Sequence, residues 1–138
     1  MINFYLPDED VIFTGDTLFA MGCGRIFEGT HDQMHASMEM LQKLPPETVV
    51  FVGHEYTQSN ARFAITVDPD NTALKARAKE VDAARAANQP TMPTKMASEF
   101  ATNPFLRYGD PSIRAHLGME SASDAAVFSE IRTRKDNF

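Results

Sequence analysis

Two apolar segments, each followed by a glycine and then by a side chain that can bind metal, constrain the fold more than any other feature. Residues 11–14 (VIFT) run into Gly15-Asp16, and residues 49–52 (VVFV) run into Gly53-His54. Apolar, β-branched runs bounded by turn residues are typical of buried strands. Glycine at such a point allows a sharp turn and a close approach. The pattern therefore predicts that the Asp16 carboxylate and the His54 imidazole lie at strand ends, where α/β proteins tend to bind ligands.

The segments around these strands predict an α/β arrangement. Residues 2–6, joined to 11–14 by a Pro-Asp-Glu-Asp turn, predict a hairpin. The loop of residues 15–29 is long, which is typical of a functional or disordered segment. Thr30 is a typical N-cap residue for a helix that we expect to run to about residue 43. The apolar stripe of that helix consists of Met34, Met38 and Leu41. Strand, helix and strand in this order predict a crossover unit on one face of a sheet.

The pattern changes after residue 56, beyond which no strand is predicted. The expected helices are one from Thr57 or Ser59 through residue 67, and others at 72–88, about 95–101, after Asp110-Pro111, and 124–134. The predicted N-caps are Thr57 or Ser59 for the first of these helices, Asn71 for the second, Asp110 for the one that begins with Pro111, and Ser121 or Ser123 for the last. We therefore predict an α/β domain of residues 1–57, followed by an α-helical domain of residues 58–138.

Charge and composition narrow the class of function. The chain of 138 residues has 13 Lys and Arg against 19 Asp and Glu, a net charge of −6. An acidic balance argues against non-specific binding to nucleic acid or to anionic membranes. No apolar run approaches the roughly 20 residues of a membrane span. Cys23 is the only cysteine, which excludes an internal disulfide and is typical of a reducing, cytoplasmic location.

Seven motifs in order resemble the glyoxalase II family, the hydroxyacylglutathione hydrolases of the metallo-β-lactamase superfamily. They are GDTLF (15–19), GCGR (22–25), FEGT (27–30), GHEYT (53–57), PTMPT (90–94), NPFLR (103–107) and RKDNF (134–138). The resemblance implies an α/β (α+β) fold, the C-terminal half of an αββα sandwich followed by a small all-α domain.

The chain departs from this family at its beginning. The T-H-x-H-x-D-H segment that supplies most metal ligands in the family is absent, as is a further His-bearing segment before GDTLF. We therefore expect the chain to be the C-terminal half of the enzyme. Its strands would then lack sheet partners, with Ile12, Phe13, Val50 and Phe51 among the residues expected on inward faces. Exposed apolar strands favour pairing with other chains, so we also expect self-association.

The resemblance implies hydrolysis of S-(2-hydroxyacyl)glutathione, such as S-D-lactoylglutathione, to a 2-hydroxy acid and glutathione. The implied mechanism is attack by a hydroxide that bridges two divalent metals, with zinc, iron and manganese all compatible. Asp16 matches the family's bridging aspartate, and His54 matches a terminal metal ligand. The alternative is a non-catalytic fragment that binds glutathione weakly or pairs with another chain, because most metal ligands are absent.

Four further residues match positions that contact glutathione in the family: Arg25, Tyr56, Arg132 and Lys135. Glutathione carries two carboxylates, and the planar guanidinium of arginine binds a carboxylate through two parallel hydrogen bonds. Arg132 and Lys135 are three residues apart and so share one helical face. The alternative for this pair is that it only complements the dipole at the helix C-terminus.

Four other residues suggest a chemical role that the sequence does not support. His31 and His35 resemble the H-E-x-x-H zinc motif, but Asp32 replaces the glutamate, and we predict a solvent-exposed helix face. Cys23 has no activating base nearby in the sequence, so packing within the loop is expected. Phe27 stands where many family members have tyrosine, so no polar contact is expected from it.

Overall fold

The computed structural model describes residues 1–138, which form six helices and six short strands. The strands are β1 (Phe4–Leu6), β2 (Val11–Gly15), β3 (Leu18–Phe19), β4 (Gly22–Cys23), β5 (Val49–Val52) and β6 (Thr94–Lys95). The helices are α1 (His31–Leu41), α2 (Thr57–Val67), α3 (Thr72–Ala86), α4 (Met96–Thr102), α5 (Pro111–Leu117) and α6 (Asp124–Asp136). None of these helices combines the length and the apolar character needed to cross a membrane.

Four strands form the main sheet, in the order β1-β2-β5-β6. β1 pairs antiparallel with β2, and β2 pairs parallel with β5, so the predicted hairpin and the predicted crossover through α1 are confirmed. The prediction of no strand beyond residue 56 is wrong, because β6 pairs antiparallel with β5. Two residues directly before a helix are too short to show the alternating pattern by which strands are recognised.

The two faces of this sheet differ in burial. Ile12 and Val50 point into the main core, where Met38 and Leu41 of α1 pack. Because strand side chains alternate between faces, their neighbours Phe13 and Phe51 point to the other face and are 45% and 38% exposed. Of the four residues expected on faces left without sheet partners, Phe13 and Phe51 are exposed in agreement with that expectation, whereas Ile12 and Val50 are buried in the main core. With Phe4 they form a row across three strands, which we call the phenylalanine face.

The main core takes residues from both sides of residue 57. Ile12 and Val50 share one apolar cluster with Phe105, from the connection between α4 and α5, and with Phe128 and Ile131 of α6. All five side chains are almost fully buried. The sheet and the helices beyond it are therefore held together by a continuous apolar core.

Most helix boundaries follow from capping residues that the sequence makes visible. Thr30 accepts the Gln33 backbone N–H, while the Gln33 side chain accepts the Thr30 N–H, so α1 begins with a capping box. Asn71, Asp110 and Ser123 cap α3, α5 and α6 as predicted. The predicted side-chain cap of α2 is wrong: α2 begins at Thr57 after Tyr56 with no side-chain cap. The Thr57 hydroxyl is instead hydrogen-bonded to the Thr91 hydroxyl.

The loop between Gly15 and Gly29 contains a small ordered hairpin. β3 and β4 pair antiparallel, with Leu18 opposite Cys23 and Phe19 opposite Gly22. Ala20 and Met21 form the turn, and all six residues are buried. We call residues 18–23 the buried hairpin. Of the two alternatives left by the length of the loop, functional or disordered, the disordered one does not apply to residues 18–23.

Candidate metal and ligand site

A cavity of about 300 Å³ lies where β2 and β5 end, next to the buried hairpin and α6. All six residues proposed from the sequence line it: Asp16, Arg25, His54, Tyr56, Arg132 and Lys135. Phe19, Cys23, Ser59 and Asn60 also contribute to its walls. Residues separated by more than a hundred positions are thus brought to one site, although their individual roles remain predictions.

Asp16 and His54 lie together because their strands are parallel neighbours. The His54 Nε2 is 3.3 Å from the Asp16 Oδ1, and both side chains are half exposed. The Gly53 N–H donates to the Gly15 carbonyl at 2.7 Å, which fixes the two strand ends against each other. A Cβ at Gly53 would lie 2.5 Å from the Asp16 Oδ1, so only glycine permits this approach.

The spacing of this pair fits two ligands of one divalent ion. Zinc–nitrogen and zinc–oxygen bonds of about 2.0–2.2 Å at a tetrahedral angle place two ligand atoms roughly 3.4 Å apart. Carboxylate and imidazole are also suitable donors for zinc, iron and manganese. No third His, Cys, Asp or Glu side chain joins them in a metal-binding group. The pair therefore fits one side of a metal centre and supplies two of the ligands that such a centre needs.

Aromatic rings form the wall beside the Asp16–His54 pair. The His54 ring stacks on the Tyr56 ring, with centroids 5.0 Å apart and an interplanar angle of 16°. The edge of Phe19 meets the Tyr56 ring at 5.1 Å. Because Phe19 comes from the buried hairpin, the position of that hairpin sets one boundary of the aromatic wall.

A second part of the cavity lining is cationic. The Lys135 ammonium lies over the rings of Phe63 and Phe138, 5.5 Å and 5.3 Å from their centroids. Burial, with repulsion from Arg132 and Arg25, holds the pKa of Lys135 below its usual value. Arg25 is largely exposed, and its Nε lies 3.9 Å from a carboxylate oxygen of Asp136. Lys135 and Arg25 therefore present positive charge to the cavity.

Arg132 is 2% exposed, and its guanidinium is held by the protein itself. One terminal nitrogen donates to the Cys23 carbonyl at 2.7 Å and to the Gly24 carbonyl at 3.3 Å. The Nε and the other terminal nitrogen donate to Asp136 at 3.1 Å and 2.9 Å. The side chain thus ties α6 to the end of the buried hairpin. This contact is neither of the two alternatives that the sequence left open.

Cys23 and the two histidines of α1 have no reactive geometry. Burial raises the pKa of the Cys23 thiol to about 11 despite the neighbouring Arg132, so the thiol stays protonated at neutral pH. The prediction of an exposed histidine face is wrong for His35, which is buried against Tyr108 and Phe128. The His31 Nδ1 is hydrogen-bonded to the Ser129 hydroxyl, so the two histidines do not form a metal site.

Three polar residues that support the site were not identified from the sequence. Glu55 lies between His54 and Tyr56 but binds the backbone N–H and the hydroxyl of Thr91, at 2.6 Å and 2.7 Å. Burial alone would raise the pKa of Glu55, yet the hydrogen bonds from Thr91 and Thr57 and the charge of Arg85 keep it below its usual value. Glu99 and Asn103 are buried and bind the backbone of the buried hairpin.

Comparison with known proteins identifies the family of the chain. Residues 55–138 match the family described as "Hydroxyacylglutathione hydrolase C-terminus", and residues 1–54 match the "Metallo-beta-lactamase superfamily". The chain is 61% identical over 137 residues to proteins from Brucella ovis and Brucella abortus, both named hydroxyacylglutathione hydrolase. These matches cover 99% of this chain and 53% of each relative, so it spans about half the length of the relatives it matches. By its fold and by these matches, the chain belongs to the hydroxyacylglutathione hydrolase family within the metallo-β-lactamase superfamily.

Proposed function

We propose that this chain carries the glutathione-binding side, and two ligands of the metal centre, of a hydrolase that cleaves S-(2-hydroxyacyl)glutathione thioesters. The observation that supports the proposal most is the meeting of a metal-type ligand pair and a cationic wall in one cavity. The proposed products are a 2-hydroxy acid, D-lactate for the lactoyl thioester, and glutathione.

The proposed roles follow from the chemistry of the side chains. Asp16 and His54 would hold a divalent ion, for which zinc, iron and manganese remain open. Such an ion supplies Lewis acidity toward a carbonyl and lowers the pKa of water. Lys135 and Arg25 offer charge to the two carboxylates of the tripeptide. Tyr56, stacked on His54, joins the metal side of the cavity to the peptide side.

Arg132 has a different position in this proposal. Its donors are directed at backbone carbonyls and Asp136, so we propose that it supports the ligand wall through the buried hairpin as well as lining the cavity.

We retain the two-part division at residue 57 and a cytoplasmic location as predictions. The single cysteine is compatible with a reducing compartment.

Titration with reduced glutathione, followed by amide chemical shifts of the 138-residue chain, tests the proposed binding site. We expect shifts around Lys135 and Tyr56, and weaker binding after Lys135→Ala. Removal of a charge-assisted hydrogen bond of about 1.5–3 kcal/mol predicts a loss of roughly tenfold or more. Lys79→Ala, on the exposed side of α3, is the matched control. Equal loss in both variants, or shifts elsewhere, would overturn the assignment.

A second candidate, a non-catalytic chain that binds glutathione weakly or pairs with another chain, is favoured by one observation. Catalytic zinc sites usually keep three protein ligands, whereas Asp16 and His54 are joined by no third donor. For this candidate we expect less than about one tightly bound metal per chain after dialysis, measured by elemental analysis. About two bound equivalents together with thioester hydrolysis would exclude it.

A further inference from the structure

We propose that Glu99 is a positioning residue of the candidate site. Together with Asn60 and Asn103 it forms a buried anchor, which we call the hairpin anchor. This anchor fixes the buried hairpin of residues 18–23 and thereby the wall that Phe19 contributes to the cavity. None of the three side chains was proposed from the sequence.

The carboxylate of Glu99 is the centre of the hairpin anchor. Its side chain is 1% exposed and sits on α4. The Oε2 accepts the Met21 backbone N–H at 2.8 Å and the Asn103 side-chain amide at 3.0 Å. The Oε1 accepts the Thr94 hydroxyl at 2.9 Å. A buried carboxyl with three donors is satisfied only in this arrangement, because water cannot replace a lost partner there.

The two asparagines bind the remaining groups of the turn. The Asn103 amide nitrogen donates to the Phe19 carbonyl at 3.1 Å and to the Gly22 carbonyl at 3.0 Å. The Asn60 amide nitrogen donates to the Ala20 carbonyl at 3.1 Å. Each of the four residues 19–22 therefore has a backbone group bound to a side chain that comes from a later helix or loop.

The conformation of the turn depends on this support. Met21 has a φ of 54°, in the left-handed region that residues with a side chain rarely adopt. Such a conformation persists only where the surroundings over-determine it. The amide of Asn60 also lies so close that a Cβ at Gly22 would be 2.5 Å from its nitrogen. The hairpin is thus held from two sides.

Both ends of the buried hairpin lead to the candidate site. Phe19 meets the Tyr56 ring, which stacks on His54. At the other end the Gly24 N–H donates to the Thr17 carbonyl, next to Asp16 in sequence, while its carbonyl accepts from Arg132. A displacement of the hairpin would therefore move groups on both the metal side and the cationic side.

Two substitutions separate the role of the acceptor atoms from the role of side-chain volume. In Glu99→Gln the amide oxygen accepts both N–H groups, and the amide nitrogen donates to the Thr94 hydroxyl, so the anchor is retained. Glu99→Met has a similar length and no strong acceptor, so the Met21 N–H loses its partner and the Asn103 amide keeps only the Phe19 and Gly22 carbonyls. Thr94→Val removes only the bond that does not reach the hairpin and serves as a control.

Cys23 provides the first readout because it is the only cysteine and lies in the hairpin. We expect Glu99→Met to raise the rate of Cys23 labelling by a thiol reagent roughly tenfold or more, because local opening exposes the thiol. Glu99→Gln and Thr94→Val should stay within about threefold of the parent chain. Ile113→Ala, a core truncation on α5, is the control for general destabilisation, compared at equal distance below each variant's Tm.

The second readout is the nuclear Overhauser effect between the Phe19 and Tyr56 rings. It should weaken in Glu99→Met and persist in Glu99→Gln and in Ile113→Ala. If Glu99→Met does not fold, Asn60→Ala, which removes only the bond to Ala20, takes its place in both assays. Labelling no faster than in Ile113→Ala, or an unchanged ring contact, would overturn the proposal.

The proposal rests on the proposed function only in treating the cavity as a ligand site. Both readouts use the unliganded chain, so a failure of glutathione to bind would leave them unchanged. If glutathione binds, its affinity should fall in Glu99→Met and not in Ile113→Ala. Equal affinity in these two variants would overturn the link between the hairpin anchor and the site.

Discussion

Replacement of Arg132 by alanine should destabilise the fold more than any other change of a charged side chain in α6. Truncation removes the donor of the Cys23 and Gly24 carbonyls, which lie in buried residues. A buried polar group left without its partner costs about 1–3 kcal/mol. Loss of the contact with the Phe105 ring, 5.1 Å away, adds about 0.5–1 kcal/mol. The Asp136 side chain is 39% exposed, so solvent screens its ion pair with Arg132, and losing that pair should cost less than about 1 kcal/mol.

Together these terms predict a loss of about 1.5–5 kcal/mol, which overlaps the roughly 3–5 kcal/mol expected when one partner of a buried charged contact is removed. Urea unfolding followed by circular dichroism measures it as a lower midpoint at constant m. The stability of Arg132→Lys should lie between those of the parent chain and Arg132→Ala, because an ammonium group cannot reproduce the planar arrangement of the guanidinium donors. Arg134→Ala is the matched control, since Arg134 forms only an exposed ion pair with Glu130 and should change stability by less than about 0.5 kcal/mol.

A change of less than about 1 kcal/mol in Arg132→Ala would refute this reasoning. Weaker glutathione binding with unchanged stability would then assign Arg132 to the ligand alone. Loss of both would show that the side chain supports the wall that it lines.

Three further predictions concern the strand ends and the open sheet. Because the fold lowers the pKa of Glu55, ionised Glu55 stabilises the fold above its unfolded-state pKa, and this stabilisation is lost as the pH falls through the folded-state pKa. Thermal melts from neutral to acidic pH should therefore show a smaller loss of Tm in Glu55→Gln than in the parent chain. Gly53→Ala should displace the Asp16 side chain, since the new Cβ would lie 2.5 Å from the Asp16 Oδ1. A crystal structure with an unchanged distance between the Asp16 Oδ1 and the His54 Nε2 would contradict this. The phenylalanine face should promote self-association, so Phe13→Ser with Phe51→Ser should shift size-exclusion profiles toward monomer, and a parent chain already monomeric at high concentration would exclude it.

The sequence was most informative where local chemistry determines the structure. Thr30, Asn71, Asp110 and Ser123 cap the helices that their side chains predicted, because a cap needs only residues within one turn. The approach of the two strand ends was also accessible, since apolar runs followed by glycine mark strand termini.

The periods of strand and helix also predict which side chains of β2 and α1 share a face. Adjacent residues of a strand point to opposite faces, so Phe13 could not share a face with Ile12. His35 lies three residues before Met38, so helical spacing places it on the side of α1 that packs into the core, and this spacing could have predicted its burial.

Contacts with backbone groups far along the chain could not be predicted. Arg132 and Glu99 bind carbonyl and N–H groups of the buried hairpin, and backbone atoms carry no signature in the sequence. The same applies to β6, whose pairing with β5 depends on the path of the chain through α2 and α3. These contacts depend on the tertiary fold, so the local sequence around Arg132, Glu99 or β6 does not predict them.

The position of β6 has a consequence for the order in which the molecule assembles. The β1–β2 hairpin closes over a few residues, whereas the edge of β5 is completed by a strand that follows two entire helices. The entropy of closing so long a segment must be met before its contacts are gained, which slows this step. During synthesis β5 leaves the ribosome well before β6, and we expect its edge to remain open for that interval. The nascent chain is therefore most exposed to wrong strand pairing before residues 94–95 have been made.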